Sequence, residues 1–219
     1  MRQIAKIINL IKVEFTLDLK KPTLLVSAIL QLGITALLSM LAQPNMLASV
    51  WNSIFWITLI LGSIQSVSKN FTLVARGRWI FWNQIASPSE MLWGKMIYGW
   101  FQMLILTGVN LLFFGWFLGV PVVHIGPYFS ILLLVTCGIS SIFTFVGAVA
   151  TKAGSASYMA PVLSLPIIFP LILVGIKASL KAFNPVFVSS VYRDIYLLGA
   201  LDLLVLVLTG VLFQSLWKD

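Results

Sequence analysis

The sequence predicts an all-α polytopic membrane protein: six transmembrane helices preceded by an N-terminal amphipathic helix lying in the interface. Three observations carry that prediction. Of the 219 residues, 60% are hydrophobic and 9% charged, a balance far from that of a soluble globular domain. Residues 22 to 68 and 96 to 151 contain no Asp, Glu, Lys or Arg, and each block has the length of two bilayer crossings. Between them, residues 69 to 95 form the one long polar interruption in the middle of the chain. Residues 1 to 219 read as a single membrane domain, with an interfacial helix at 1–21 and a structured loop at 68–95.

The opening segment, residues 2 to 21, places Ile4, Ile7, Ile8, Ile11, Phe15 and Leu19 at helical spacing. Arg2, Lys6, Asn9, Lys12 and Lys20 lie off that stripe, the pattern of a basic helix in the interface. Leu10, Val13 and Leu17 blur its polar face, so it is expected to be partly buried, and Pro22 ends it. Span one follows from Thr23 to Ala42, a turn at Gln43-Pro44-Asn45 reverses the chain, and span two runs from Met46 to Val67. The first apolar run starts after some 22 residues and lacks a small-x-small cleavage pattern, so it reads as a retained helix rather than a signal peptide.

The polar interruption has its own order. Ser87-Pro88-Ser89-Glu90 has the spacing of a capping box, with proline suited to the first helical position, so a helix should start at Pro88. Upstream, Phe71, Val74, Trp79, Ile80, Phe81, Trp82 and Ile85 alternate with Lys69, Arg76 and Arg78. That mixture suggests one or two short amphipathic helices near the membrane surface. It fits an interfacial connector with aromatic anchors, and equally a docking element for a soluble partner.

Span three grows out of the capped helix, from about Met96 to Leu118, with Gly115 and Gly119 as a small-xxx-small pair for close helix contact. Residues 119 to 127 turn the chain, span four occupies Tyr128 to Ala150, and Thr151 to Ser157 form a short polar loop. Span five, Tyr158 to Ile176, contains Pro161, Pro166 and Pro170, each removing a backbone donor, so it is expected to be kinked or broken. A loop at 177–194 carries Lys177, Lys181, Arg193 and Asp194, and span six is Ile195 to Leu216. Six spans put both termini on one side. That side, with the loops at 68–95 and 151–157, holds eleven of the fourteen Lys and Arg residues, which places the termini and the central loop in the cytoplasm.

Several chemistries lack their residues. The net charge of +8 comes from short segments beside apolar spans, without a basic-aromatic face for nucleic acid. Cys137 is the sole cysteine, which leaves no disulfide framework, thiolate metal site or CxxC motif. No G-x-x-x-x-G-K-[ST] loop occurs, so any ATP has to be hydrolysed by another chain. His124, the sole histidine, falls in the outer turn between spans three and four, read as a surface turn residue rather than half of a bis-histidine heme site.

The intramembrane polar groups are the remaining candidates. Asp202 is the one acid well inside a span, where a charge costs on the order of 3 kcal/mol. It should stay protonated or find a Ser, Thr, Asn or Gln partner, in this chain or on a facing subunit. Asn110, Gln102, Gln65 and Gln31 fit interhelical hydrogen bonds of about 1 kcal/mol each. Glu14 and Asp18, four apart in the first helix, are expected to form solvated ion pairs with Lys12, Lys20 and Lys21.

Glu14 in an amphipathic opening helix, the Lys21-Pro22 entry to span one, Gly77 followed by Pro88 and Lys95 in the central loop, and Leu165-Pro166 with Pro170 in span five together resemble the heme exporter protein B (CcmB) family. That family supplies the membrane subunit of the cytochrome c maturation ABC transporter, and the resemblance extends over essentially the whole chain. It implies a permease-type subunit, not itself an enzyme, in a bacterial inner membrane. The implied partners are a separate ATP-binding subunit of the heme exporter protein A type, a second copy of the chain, other cytochrome c maturation proteins and membrane lipid. ATP is then bound on the partner, and heme is the implied transported or delivered ligand. On this reading Phe71, Arg76, Gly77, Arg78, Trp79, Trp82, Pro88 and Glu90 dock the ATPase through a coupling helix. Many members carry acidic residues early in that loop, where this chain has Lys69, Asn70, Thr72 and Ala75. Two rival readings fit the same residues: a permease of this architecture exporting a lipid or polysaccharide, and a membrane scaffold without transport.

Overall fold

The computed structural model describes residues 2–20, 23–43, 46–67, 87–152, 156–184 and 188–216. They form helices α1 (Arg2–Lys20), α2 (Thr23–Ala42), α3 (Ala48–Ser66), α4 (Pro88–Leu118), α5 (Ile125–Lys152), α6 (Ala156–Ala182) and α7 (Val188–Leu216). No strand occurs among the described residues. Helices α2 to α7 each contain a stretch long and apolar enough to cross a bilayer, so the chain is a multi-pass membrane protein. The expected first helix and span one coincide with α1 and α2 to within a residue.

Helix α5 is the axis of the bundle. It packs against α4, α6 and α7, and 67% of its spanning stretch is buried, against 17% for α2 and for α7. The peripheral helices turn Leu30, Leu41, Leu112, Trp116, Leu203 and Val211 outward, an apolar surface on the scale that a bilayer covers. Inside, Trp51 stacks on Phe55 with centroids 5.3 Å apart, and Phe114 meets both edge-on at 5.5 Å. Phe183 bridges Trp51 and Tyr128, so one aromatic cluster ties α3, α4 and α5 to the end of α6.

Polar side chains clasp the helices where lipid offers no alternative partner. Asn52 donates to the Ile176 carbonyl at 2.9 Å, Ser179 donates to Asn52 Oδ1 at 2.9 Å, and Trp56 Nε1 donates to Ser179 Oγ at 2.9 Å, joining α3 to α6. Trp100 Nε1 donates to Ser141 Oγ at 2.9 Å between α4 and α5, and Gln102 donates to Ser66 between α4 and α3. The interhelical role expected of Gln102 is therefore met.

Three local expectations are corrected. The loop expected at 177–194 is largely helical: α6 continues to Ala182 and α7 already starts at Val188. Charges mark where a segment leaves the hydrocarbon, not where its helix stops, and Lys181 Nζ pairs with Asp194 Oδ2 at 2.5 Å across the two helix ends. Of the two outcomes expected for span five, a kink or a break, the break is excluded, since α6 runs through Pro161, Pro166 and Pro170. Its C-terminal part is held in place by the Asn52, Trp56 and Ser179 bonds despite the missing donors. Gly115 and Gly119 make no interhelical seam. Gly119, at φ 72°, caps α4, and its N–H donates to the Gly115 carbonyl at 3.2 Å, using the left-handed conformation that glycine adopts freely.

Candidate functional site

Helix α4 begins as its sequence specifies. Ser87 is extended, its N–H donates to Glu90 Oε2 at 2.8 Å, and the Glu90 N–H donates to Ser87 Oγ at 3.4 Å. With Pro88 in the first turn, this completes the reciprocal cap. Glu90 is buried, as are Met91 and Leu92, so the first turn is already anchored in protein.

The next two turns of α4 receive α1. A Cβ at Gly94 would lie 3.2 Å from Leu10 Cβ and 4.0 Å from the Ile7 carbonyl, so the absent side chain is what lets the helices approach. One residue on, Lys95 Nζ pairs with Glu14 Oε1 at 2.6 Å, with only 4% of the lysine side chain and 13% of the glutamate exposed. Three residues further, the Tyr98 hydroxyl donates to Asp18. The contacts Leu10 to Gly94, Glu14 to Lys95 and Asp18 to Tyr98 advance together along both chains, so α1 runs beside the start of α4 in the same direction.

The solvated pairing expected for Glu14 and Asp18 is thus replaced by interhelical pairing with α4. The physical reason is that an acid on a packed face meets whatever the neighbouring helix presents there, and Lys95 and Tyr98 share one face of α4. Burial raises the Asp18 carboxyl above its ordinary value of 3.8. The Glu14 carboxylate adds to the rise, while the Tyr98 hydrogen bond and Lys95 oppose it.

Of the docking residues read from the sequence, Phe71, Arg76, Gly77, Arg78, Trp79 and Trp82 lie outside the described residues, while Pro88 and Glu90 occupy the capped first turn of α4. Asn110 is fully buried and its Nδ2 donates to the Phe55 carbonyl at 3.1 Å, as an interhelical bond; its Oδ1 has no partner among the described residues. Asp202 is 9% exposed and its Oδ1 is buried without a hydrogen bond, so the Ser, Thr, Asn or Gln partner expected for it does not come from the described part of this chain. It lies instead against Gly138 of α5, at a point where any Cβ would overlap the carboxylate and crowd Leu171. Gln31 Oε1 is likewise buried without a partner.

His124 lies in the turn between α4 and α5, as expected, and is half-buried there. Its backbone N–H donates to the Ala182 carbonyl at 3.1 Å, and its Nε2 is buried without a partner among the described residues, as are Trp51 Nε1 and Tyr128 Oη near the same end of the bundle. Sequence reasoning singled out Glu14, Asp18 and Lys95 but not their pairing. The signal available was the match between two acids four apart in α1 and a Lys and Tyr three apart in α4. Gly94 and Gly138 carried no sequence signal beyond being glycine.

The family model described as CcmB protein matches residues 5–215 of the chain. No curated protein and no solved structure matches it.

Proposed function

The chain belongs to the CcmB protein family, and on that footing we propose that it is the membrane subunit of an ABC-type exporter complex acting in heme delivery for c-type cytochrome assembly. ATP is hydrolysed on a separate subunit, and heme is the cargo or delivered ligand of the complex rather than a resident cofactor. The chain works as a homodimer in the bacterial inner membrane, both termini in the cytoplasm, alongside other cytochrome c maturation proteins.

The observation that carries the reading is the continuity of α4 with the central loop. Residues 68–86 supply Phe71, Trp79 and Trp82 flanked by Arg76 and Arg78, aromatic and arginine anchors suited to a groove on a partner with a charged rim. They lead straight into the capped turn at Ser87–Glu90, and within three turns of it α4 is tied to α1 by Lys95 and Tyr98. A displacement imposed on the loop by an ATPase dimer is therefore delivered to α4 and α1 as one body. Lys95 here acts as a positioning residue.

The test is co-expression with the neighbouring ATP-binding subunit in a host lacking its own cytochrome c maturation genes. Recovery of the ATPase with this chain, and covalent heme in a reporter cytochrome only when both are present, is the expected result. ATPase recovery without heme attachment would point to a permease for a lipid or polysaccharide. No ATPase recovery would leave a membrane scaffold.

A further inference from the structure

Beside the C-terminal half of α1, a cavity of about 150 Å³ lies between α1, α2 and α4. Its walls are Phe15, Leu25, Phe101 and Ile105, and its polar side is formed by Asp18, Tyr98 and Gln102. Phe15 and Phe101 are 48% and 54% exposed, so the mouth opens outward between an interfacial helix and two spans, onto the surface that lipid covers. The lining is mostly apolar with one polar corner, a combination that suits an amphiphilic guest.

The polar side is unevenly satisfied. Gln102 donates to Ser66, and Tyr98 spends its hydroxyl proton on Asp18. Among the described residues the Asp18 carboxylate takes this one hydrogen bond, although it has room for about four. Among the described residues, the charged groups around it are Glu14, on the preceding turn of α1, and Lys95, whose ammonium pairs with Glu14. Among the described residues, two carboxylates face one ammonium here, and Asp18 retains acceptor capacity for further N–H donors.

We propose that the cavity is a phospholipid site selective for a primary-ammonium headgroup, with the ammonium donating to Asp18 and the upper part of an acyl chain lying among Phe15, Leu25, Phe101 and Ile105. A primary ammonium brings three donors and a positive charge. A choline headgroup brings the charge without an N–H, and a glycerol headgroup brings hydroxyls without the charge. Selectivity among lipids with identical chains therefore falls to Asp18, and occupancy to the apolar wall.

The experiment uses the full chain in nanodiscs with equimolar phosphatidylethanolamine, phosphatidylcholine and phosphatidylglycerol of matched chains, stripped by mild detergent, with retained lipid read by native mass spectrometry. One phosphatidylethanolamine per protomer, retained at least tenfold over the other two, is expected. Asp18→Asn keeps an acceptor for Tyr98 and should bring that preference below threefold with total retained lipid unchanged. Ile105→Trp should lower retention of all three lipids. Headgroup-blind retention by the unmodified chain overturns the proposal without recourse to any variant. So does a preference that survives Asp18→Asn, or retention untouched by Ile105→Trp.

Discussion

Lys95 Nζ and Glu14 Oε1 meet at 2.6 Å with the lysine side chain almost wholly withdrawn from solvent. Residues 81 positions apart in sequence thus form an ionic link between the interfacial helix and the third span. Removing one partner of a buried pair strands the other charge at a cost of about 3–5 kcal/mol, whereas replacing both with apolar groups is often near neutral. Lys95→Met and Glu14→Gln should each lower the thermal stability of the nanodisc-embedded chain, and the double variant should recover most of the loss. Purely additive single effects would show that the two side chains are not coupled.

The cap on α4 makes a narrower prediction. Ser87→Ala removes the acceptor for the Glu90 N–H and should destabilise the first turn by about 1 kcal/mol, seen as roughly fivefold faster hydrogen exchange at residues 88–92. Exchange deeper in α4, beyond Tyr98, should not change. An unaltered first turn would mean that packing of Met91 and Leu92 alone sets its stability.

For the central loop, Phe71→Ala, Trp79→Ala and Trp82→Ala should each reduce recovery of the ATP-binding subunit by about tenfold, the 1.4 kcal/mol scale of an interface anchor, with membrane insertion intact. Full recovery with all three variants would remove the docking role from this segment.

Gly138 and Asp202 form a tight contact between α5 and α7. Gly138→Ala should force the carboxylate and Leu171 aside and lower the folded yield, and Asp202→Leu should do so as well. Asp202→Asn keeps the shape and removes the ionisable group. Assembly of cytochrome c that survives Asp202→Asn assigns the residue a packing role, and loss of assembly in a folded, ATPase-bound variant assigns it a protonation role. Wild-type yield and assembly in all three variants would refute both.

Asp18 gives a pH dependence with a definite sign. Because burial raises its carboxyl above 3.8, the folded chain holds more protons than the unfolded one in the window that opens at 3.8 and closes at the raised value. Stability from this group therefore falls as pH rises through that window. Exchange protection of α1, corrected for the intrinsic rate, should be greater on the acid side, and Asp18→Asn should flatten that component. The same slope in the variant would trace it to another group.

How much of this was legible in the sequence depends on the range of the signal. The six spans were, because uncharged blocks and turn residues are local; so was the cap, whose whole grammar sits within Ser87–Glu90. The ends of α6 and α7 were not, because Lys177, Lys181, Arg193 and Asp194 look like loop residues until the pairing of Lys181 with Asp194 shows helix on both sides of the turn. The α1 to α4 junction was half visible. Glu14, Asp18 and Lys95 each stood out as a charge beside an apolar run, yet their partners depend on a helix contact that only Gly94 permits. Asp202 was conspicuous as an acid in a span, while Gly138, which gives it space, was one of fifteen glycines.

The two proline patterns divide the bundle mechanically. Helix α4 has 31 residues, with proline only at its first position, so at 1.5 Å per residue it is a rod of about 46 Å with an uninterrupted hydrogen-bond ladder. Helix α6, with prolines at 161, 166 and 170, lacks three rungs of its ladder and is the softer member. Helix α4 joins its capped end to the aromatic cluster around Phe114 without an internal proline. Helix α6 meets the same cluster through Phe183 at its end and is clasped to α3 by Ser179. Replacing those prolines would restore the missing rungs and let a displacement pass through α6 with less bending.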